Sequence, residues 1–436
     1  MNIGSQRGVT AIIVAIFIAL LFGFGAVAVD VAHLYLSRGE LQNAADACAL
    51  AGARVLYTDD GAAISSGANQ EGYEAGITNE SQKTAVEINW TSGNTGDVQR
   101  GHWNFSARSF GENDSTAVVD LWNVSNEELD ANTDFINAVR CVTRREATPV
   151  VNFIAPMLGI FGGNFETSIV RAEAVAVRGF TGSLEPGEID QPIALCSEKL
   201  RTADGEYSCS IGRMLNDGNT EGTSETAMWT DFSQSSTCSA SSASAIRPLI
   251  CAAGNPGGLI FGDNIDSTNG TTAAAFDDFI DCWKTGLHLD TNGDGTPETD
   301  LDADNDGWPD LLWEVDLPVV NCGNNDPCTP LSGAVTVNVV WVVRSANLTG
   351  NNMYDEAPAK MGDWTCGTPT PTTGDERQAC WNEFVTYFNL RNSDDATAPY
   401  ASKSIYFIPD CTPHEPLGHT GGENFGIMAK YPALVR

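Results

Sequence analysis

The sequence predicts an α+β protein in three parts: a long amino-terminal transmembrane helix, a small α+β domain, and a distal, mostly β, disulfide-rich domain. Three observations predict it. Residues 9–29 form a run without a single charge. All 12 cysteines lie beyond that run. Finally, short alternating or valine-rich segments, 169–177 and 335–343 among them, have the strand period rather than the helical one.

The anchor comes first. As a helix, residues 9–29 cover roughly 30 Å, the thickness of a bilayer core. In lipid every backbone polar group must be satisfied internally, so the run is expected to be helical. Arg7 precedes it and Asp30 comes directly after it. The cation belongs on the cytoplasmic side and the acidic remainder outside, which makes a single-pass protein of the inner membrane. A cleaved signal peptide is the competing reading, with residues 23–28 (Gly-Phe-Gly-Ala-Val-Ala) as the place for cleavage. The run exceeds an ordinary signal-peptide core, and no clean small-x-small site separates it from residue 30 onward, so a retained anchor is preferred.

The helix is expected to continue past the membrane. Val31, Leu34, Leu41, Ala45, Cys48 and Ala49 keep a helical period in an alanine-dominated stretch, interrupted only by Gly39. One helix over residues 1–57 results, its second half projecting outward. Small residues (Ala44, Ala45, Ala47, Ala49, Ala51, Gly52, Ala53) permit close approach of another element, either within the subunit or between subunits.

Lysine and arginine number 23 against 57 acids, a formal net charge of −34. Nucleic acid and anionic membrane surfaces would repel such a chain. Cations, basic protein patches or plain solubility in a wet compartment fit it. An even count of cysteines spread through an exported region reads as a disulfide framework. Cys322 is expected to pair with Cys328, and Cys366 with Cys380, each across a short loop.

Residues 7–11 (Arg-Gly-Val-Thr-Ala), the apolar run, and then 28–53 carry a resemblance. The last segment contains Asp30, Tyr35, Arg38 and Leu-Gln-Asn-Ala-Ala-Asp-Ala-Cys-Ala-Leu-Ala-Gly-Ala at 41–53. It resembles the amino-terminal signature of the Flp pilus-assembly TadE/TadG-like family of tight-adherence systems. A weaker similarity runs to about residue 180 through Gly101-His102-Trp103, Asn137-Ala138-Val139-Arg140, 149–163 and 170–177. The resemblance implies a pilin-like domain over 58–182. It also implies a non-enzymatic minor pilin or assembly component that meets other pilus subunits through its helix. Cys48 stands where the family has alanine, and its partner is open. Type IV-like prepilins carry a glutamate five residues after the processing glycine; here Gly8 is followed at that spacing by Ile13. That departure favours a permanent anchor over entry into a filament core.

Further along, 58–80 reads as loop or broken helix. Strands are expected at 85–90, 117–122, 138–143 and 169–177, with a helix near 125–137. Residues 182–192, with glycine, proline and acids, read as a linker to the distal domain, 183–436. There, 335–343 and 404–408 read as strands and 381–390 as a helix.

The sharpest chemical motif is at 290–310. Asp290, Asn292 and Asp294 occupy positions 1, 3 and 5 of a calcium loop, with Gly295 at the turn, Thr296 offering a carbonyl and Glu298 next. Asp300 or Asp302 can close this first site, and the pattern restarts as Asp302, Asp304, Asp306, Gly307, Trp308 and Asp310. Ca2+ takes about six to eight oxygens, which alternating acids on a tight loop supply. Leu301 stands at the position of the bidentate glutamate, so the motif resembles thrombospondin type 3-like and dockerin-like repeats more than an EF-hand. A solvated acidic turn is the plainer reading, but eight acids so close together repel one another without a counter-ion. Cys411, His414 and His419 have a spacing compatible with zinc, though Cys411 in an exported chain is expected to be oxidised. There is no Gly-x-Ser-x-Gly, His-Glu-x-x-His or P-loop motif. The expected function is therefore a pilus component. A calcium-dependent surface adhesin on a pilin-like anchor is the alternative, and an anchored hydrolase a distant third.

Overall fold

A computed structural model of the 436-residue chain describes residues 6–152, 166–202, 205–209, 212–216, 228–237, 239–269, 273–286, 312–321, 328–344, 372–392 and 396–435. The amino-terminal part contains α1 (Gln6–Arg54), α2 (Ala68–Ile77), the two-residue strands β1 (Glu80–Ser81) and β2 (Thr84–Ala85), β3 (Val98–Asn104), β4 (Ser109–Glu112), α3 (Asn126–Ala131), β5 (Ala138–Val151) and β6 (Thr167–Val177). Next come β7 (Thr181–Leu184), β8 (Ile193–Cys196), β9 (Gly212–Asn216), β10 (Met228–Thr230), α4 (Ala243–Ile246), β11 (Leu259–Ile260), β12 (Asn264–Asn269) and α5 (Ala273–Gly286). The chain closes with β13 (Trp313–Val320), β14 (Cys328–Val343), α6 (Gly374–Tyr387), β15 (Leu390–Arg391), β16 (Ser404–Pro409), β17 (Leu417–Thr420), β18 (Ala429–Tyr431) and β19 (Ala433–Leu434).

An amino-terminal apolar helix thus leads into a sheet-rich mixed body. One sheet has the order β19-β6-β5-β3-β4, and α1 and α2 cover it. Another runs β12-β10-β8-β13-β14-β16-β9-β15, with β12 pairing also to β14. The third is β11-β7-β17-β18. The last strand, β19, returns to pair Ala433 with Val177. The second half of α1 and the last strand therefore lie on the same sheet.

Alternation decides each face of the large sheet. On β13 and β14, Val315, Leu317, Val335, Val337 and Val339 point into a core completed by Trp283, Trp341, Trp381 and Phe384. Trp341 meets Phe384 edge-on at 4.9 Å, and Trp381 meets Tyr406 at 4.9 Å. Helix α6 begins with a capping box, Thr373 accepting from the Glu376 N–H while Glu376 reaches back to the cap.

Several sequence expectations need correction. Residues 86–90 are not a strand, because Glu87 makes only an isolated bridge with Arg144 and gives its carboxylate to the N–H groups of 146–148, where the β5 register is irregular. Residues 117–122 are irregular. At their start, Ser115 N–H is taken by Asn113 Oδ1 and Ala117 N–H by Ser115 Oγ. The helix expected over 125–137 stops at Ala131, where Asn132 accepts from Asp134 N–H. Part of the stretch read as a linker is β7, paired with β11 and β17. Residues 68–77, read as loop or broken helix, form α2.

Candidate functional site

Two halves of α1 do different work. In the first half Phe17, Leu21, Phe22 and Phe24 are 67–74 % exposed, and no other element covers this stretch. An uninterrupted apolar surface of that extent is not stable in water; it needs lipid or a partner. The helix is long and apolar enough to span a membrane. Exposure continues through Tyr35 and Leu36, and an aromatic there suits the membrane–water interface.

In the second half Ser37, Leu41, Ala44, Ala45, Cys48, Ala49, Gly52, Ala53 and Leu56 are buried at helical spacing. They pack on α2, β5 and β6, so the small-residue row serves the subunit's own core. The approach is tight: a Cβ on Gly72 would sit 2.9 Å from the Cys48 carbonyl oxygen, and one on Gly52 would sit 2.9 Å from Val139 Cγ1. Cys48 is bonded to Cys141 on β5, with Cα atoms 6.0 Å apart, which answers the question of its partner. Polar contacts finish the seam. Gln42 Nε2 donates to the Glu173 carbonyl at 3.1 Å, Thr143 Oγ1 to the Leu41 carbonyl at 2.9 Å, and Tyr57 OH to the Ile136 carbonyl at 2.7 Å.

A second constellation lies on the polar face of the large sheet. Glu314 opposes Asn338 and Asp316 opposes Thr336 across the β13–β14 ladder, so all four point away from the core face. Asp410 lies just past β16 and donates its N–H to the Thr336 carbonyl at 3.0 Å. His414 stands four residues on, its Nε2 3.8 Å from Asp410 Oδ2. The ligand atoms of Glu314, Asp410 and His414 all lie within 4.8 Å of one another. Asp190 joins from the side, its Oδ2 accepting the Asp316 N–H at 2.7 Å.

Electrostatics at this face result from crowding. Burial drives the Asp316 carboxyl up to about 7; the Thr336 hydroxyl opposes this, and the charges of Asp190, Glu314 and Glu188 add to it. Glu314 is pushed up by partial burial and by Asp410. Asp410 is raised by burial, yet falls below the ordinary carboxylate value because Thr412 N–H, His414 and Asn338 stabilise its charge. His414 is lowered by burial against the pull of Asp410.

The expected calcium residues, Asp290, Asn292, Asp294, Thr296, Glu298, Asp300, Asp302, Asp304, Asp306, Trp308 and Asp310, all lie outside the described residues. So do Cys322 and Cys366, and with them the two pairings expected from sequence. Every described cysteine is in a disulfide, including Cys209–Cys411 and Cys251–Cys282. Cys411 is thus oxidised as expected, and His419 is turned to Glu185 at 3.2 Å and stacked on Tyr431. The sequence trio Cys411, His414 and His419 is not a ligand set. What it missed was Glu314, Asp316 and Asp190; the signal was the Glu-Val-Asp-Leu alternation on β13.

A model of Flp pilus-assembly TadE/G-like proteins matches residues 8–55. A second, of Tad-like Flp pilus-assembly proteins, matches residues 51–176. Over residues 8–176 the chain is thus similar to Flp pilus-assembly proteins of the Tad type. No curated protein and no solved structure matches it. The Tad segment corresponds to α1 together with the sheet on which α1 lies, up to β6. Its first matched part covers both the lipid-suited surface and the alanine seam. The carboxylate–histidine face lies beyond the matched residues.

Proposed function

We propose that this chain is a membrane-anchored, TadG-like, non-enzymatic component of a tight-adherence pilus system. Helix α1 sits in the inner membrane with Arg7 on the cytoplasmic side, and the sheet-rich body faces the periplasm or the exterior. One observation carries the reading. A single unbroken helix leaves its first half uncovered, while its second half is locked into the body by the alanine seam and by Cys48–Cys141. Such a helix cannot leave its own domain. It therefore anchors, and presents its uncovered half to lipid or to the helices of other pilus subunits. The disulfides fit an oxidising compartment outside the cytoplasm. Ile13, in place of a glutamate, favours an assembly component over a processed minor pilin.

Intact mass and amino-terminal sequencing of the protein from membranes and from sheared filaments test this. A chain beginning at Met1 and confined to membranes supports the assembly component. A chain beginning at Val9 in filaments would instead make it a minor pilin. A start near Val29 would overturn the anchor.

The Asp-rich sequence at 290–310 supports a second element, a structural Ca2+ site that could serve adhesion. Asp294→Ala with Asp306→Ala is expected to abolish calcium binding in equilibrium dialysis. Unchanged binding would remove calcium from this reading. Chelation that ends surface attachment while pili still assemble would favour the adhesin.

A further inference from the structure

We propose that Glu314, Asp410 and His414 form a binding site for one divalent transition-metal ion of the zinc class. The donors come from three places, β13, the end of β16 and the loop beyond Cys411, yet their ligand atoms converge within 4.8 Å. Zn2+ bonds of about 2.0–2.2 Å would set tetrahedral ligands roughly 3.4 Å apart. His414 Nε2 and Asp410 Oδ2 are already at 3.8 Å, so a modest contraction suffices. Glu314 is exposed, and its longer side chain supplies the movement.

A second observation points to a ligand. His414 Nε2 has no access to solvent and no hydrogen-bond partner, and the side chain as a whole keeps only 11 % of its surface. A buried polar nitrogen left unpaired is unfavourable by about 1–3 kcal/mol, which coordination would relieve. Asp410 is held in place from outside the cluster, its Oδ1 accepting the Thr412 N–H at 2.9 Å. Such outer contacts orient metal ligands. Among the described residues no lysine or arginine pairs with Glu314 or Asp410, so no protein cation already neutralises them.

The donor chemistry chooses the ion. Two carboxylates and a neutral imidazole balance a divalent charge. The imidazole favours zinc-class metals over Ca2+ or Mg2+, which prefer all-oxygen shells. Three protein donors leave one position for water. Bound there, the ion would tie the large sheet to the 411–416 loop. That loop rests on the turn after α1, where a Cβ on Gly61 would lie 2.5 Å from the His414 carbonyl oxygen. The metal would thus brace the body against the membrane-proximal turn.

The test uses the full chain in detergent, stripped with a chelator, held in saturating Ca2+ and titrated with Zn2+ against a chromophoric zinc indicator. One equivalent of Zn2+ is expected to bind and to raise Tm in proportion to the logarithm of free Zn2+. His414→Ala and Glu314→Gln should each lose that equivalent and the Tm rise, while His419→Ala keeps both. Co2+ in place of Zn2+ should show a visible d–d band that His414→Ala removes. Glu314→Gln changes an exposed side chain, so it separates lost ligation from lost folding. Failure of the wild type to bind Zn2+, or retention of the equivalent and the band in both variants, would overturn the site.

Discussion

Gly39 and Gly72 are both helical glycines, and their surroundings assign them opposite roles. A Cβ on Gly39 meets nothing within 4 Å, so Gly39→Ala gains helix propensity alone. It is expected to stabilise the protein by about 0.5–1 kcal/mol in thermal unfolding. At Gly72 the same propensity gain is available. The added carbon, however, meets the Cys48 carbonyl at 2.9 Å and Val98 at 3.1 Å. Overpacking of this kind costs about 1–3 kcal/mol, more than the propensity returns, so Gly72→Ala should lower Tm. Glu87 acts through its charge instead. Partial burial raises its carboxyl, but Glu146, Ala147 and Thr148 N–H groups and the Thr148 hydroxyl all donate to it and hold its pKa at about 2. A carboxyl lowered in the folded state contributes stability above its unfolded value, near 4.5. That contribution is lost as the pH falls toward about 2. Glu87→Gln should flatten the stability profile in that acid window, and an unchanged profile would refute the role given to this irregular stretch of β5.

Helix α1 joins an uncovered apolar half to a half packed on the body. Its continuity needs no tertiary help: alanine, leucine and isoleucine propagate it, and Gly23, Gly25 and Gly39 are tolerated without a break. What differs along its length is what the side chains meet. Leu20 lies in the uncovered half. A charge at the centre of a membrane span costs about 2.5–3.5 kcal/mol on insertion scales. Leu20→Arg should therefore release a measurable fraction of the protein to alkaline carbonate extraction, whereas Asn43→Arg, on an exposed position of the outer half, should not. Equal extraction of the two variants would count against a lipid-embedded first half. At the same scale, β13 and β14 show why a valine-rich run became a buried central strand. One face enters the aromatic core, and the other, through Glu314, Asp316, Thr336 and Asn338, carries the polar cluster.

For the whole molecule, closure is set by contacts far apart in sequence. Cys48–Cys141 spans 93 residues, Cys209–Cys411 spans 202, and β19 brings the chain back to β6. In the chain-entropy description a loop near a hundred residues stabilises by about 4–5 kcal/mol, with measured values commonly about 2–4. Cys48→Ala with Cys141→Ala should lower unfolding stability by about 2–4 kcal/mol, while leaving α1 helical by circular dichroism. Retention of full stability would mean that the alanine seam alone holds the helix.

The sequence by itself determined the helix and its two halves, because an uncharged run and a repeating small-residue stripe express their physics locally. It also determined strands such as 335–343 and 404–408, where hydrophobic content and length leave little choice, and the kinship of 28–53. It exposed His414 through its spacing from Cys411 but surrounded it with the wrong companions. Only the tertiary structure decided that Cys48 meets Cys141, that Cys411 is taken by Cys209, and that His414 faces Asp410 and Glu314. Only it showed that residues 117–122, extended in composition, form no strand. The reason is common to all of these. Periodicity reports which face of an element is buried, but partners are chosen by strand register and chain return, which no local pattern encodes.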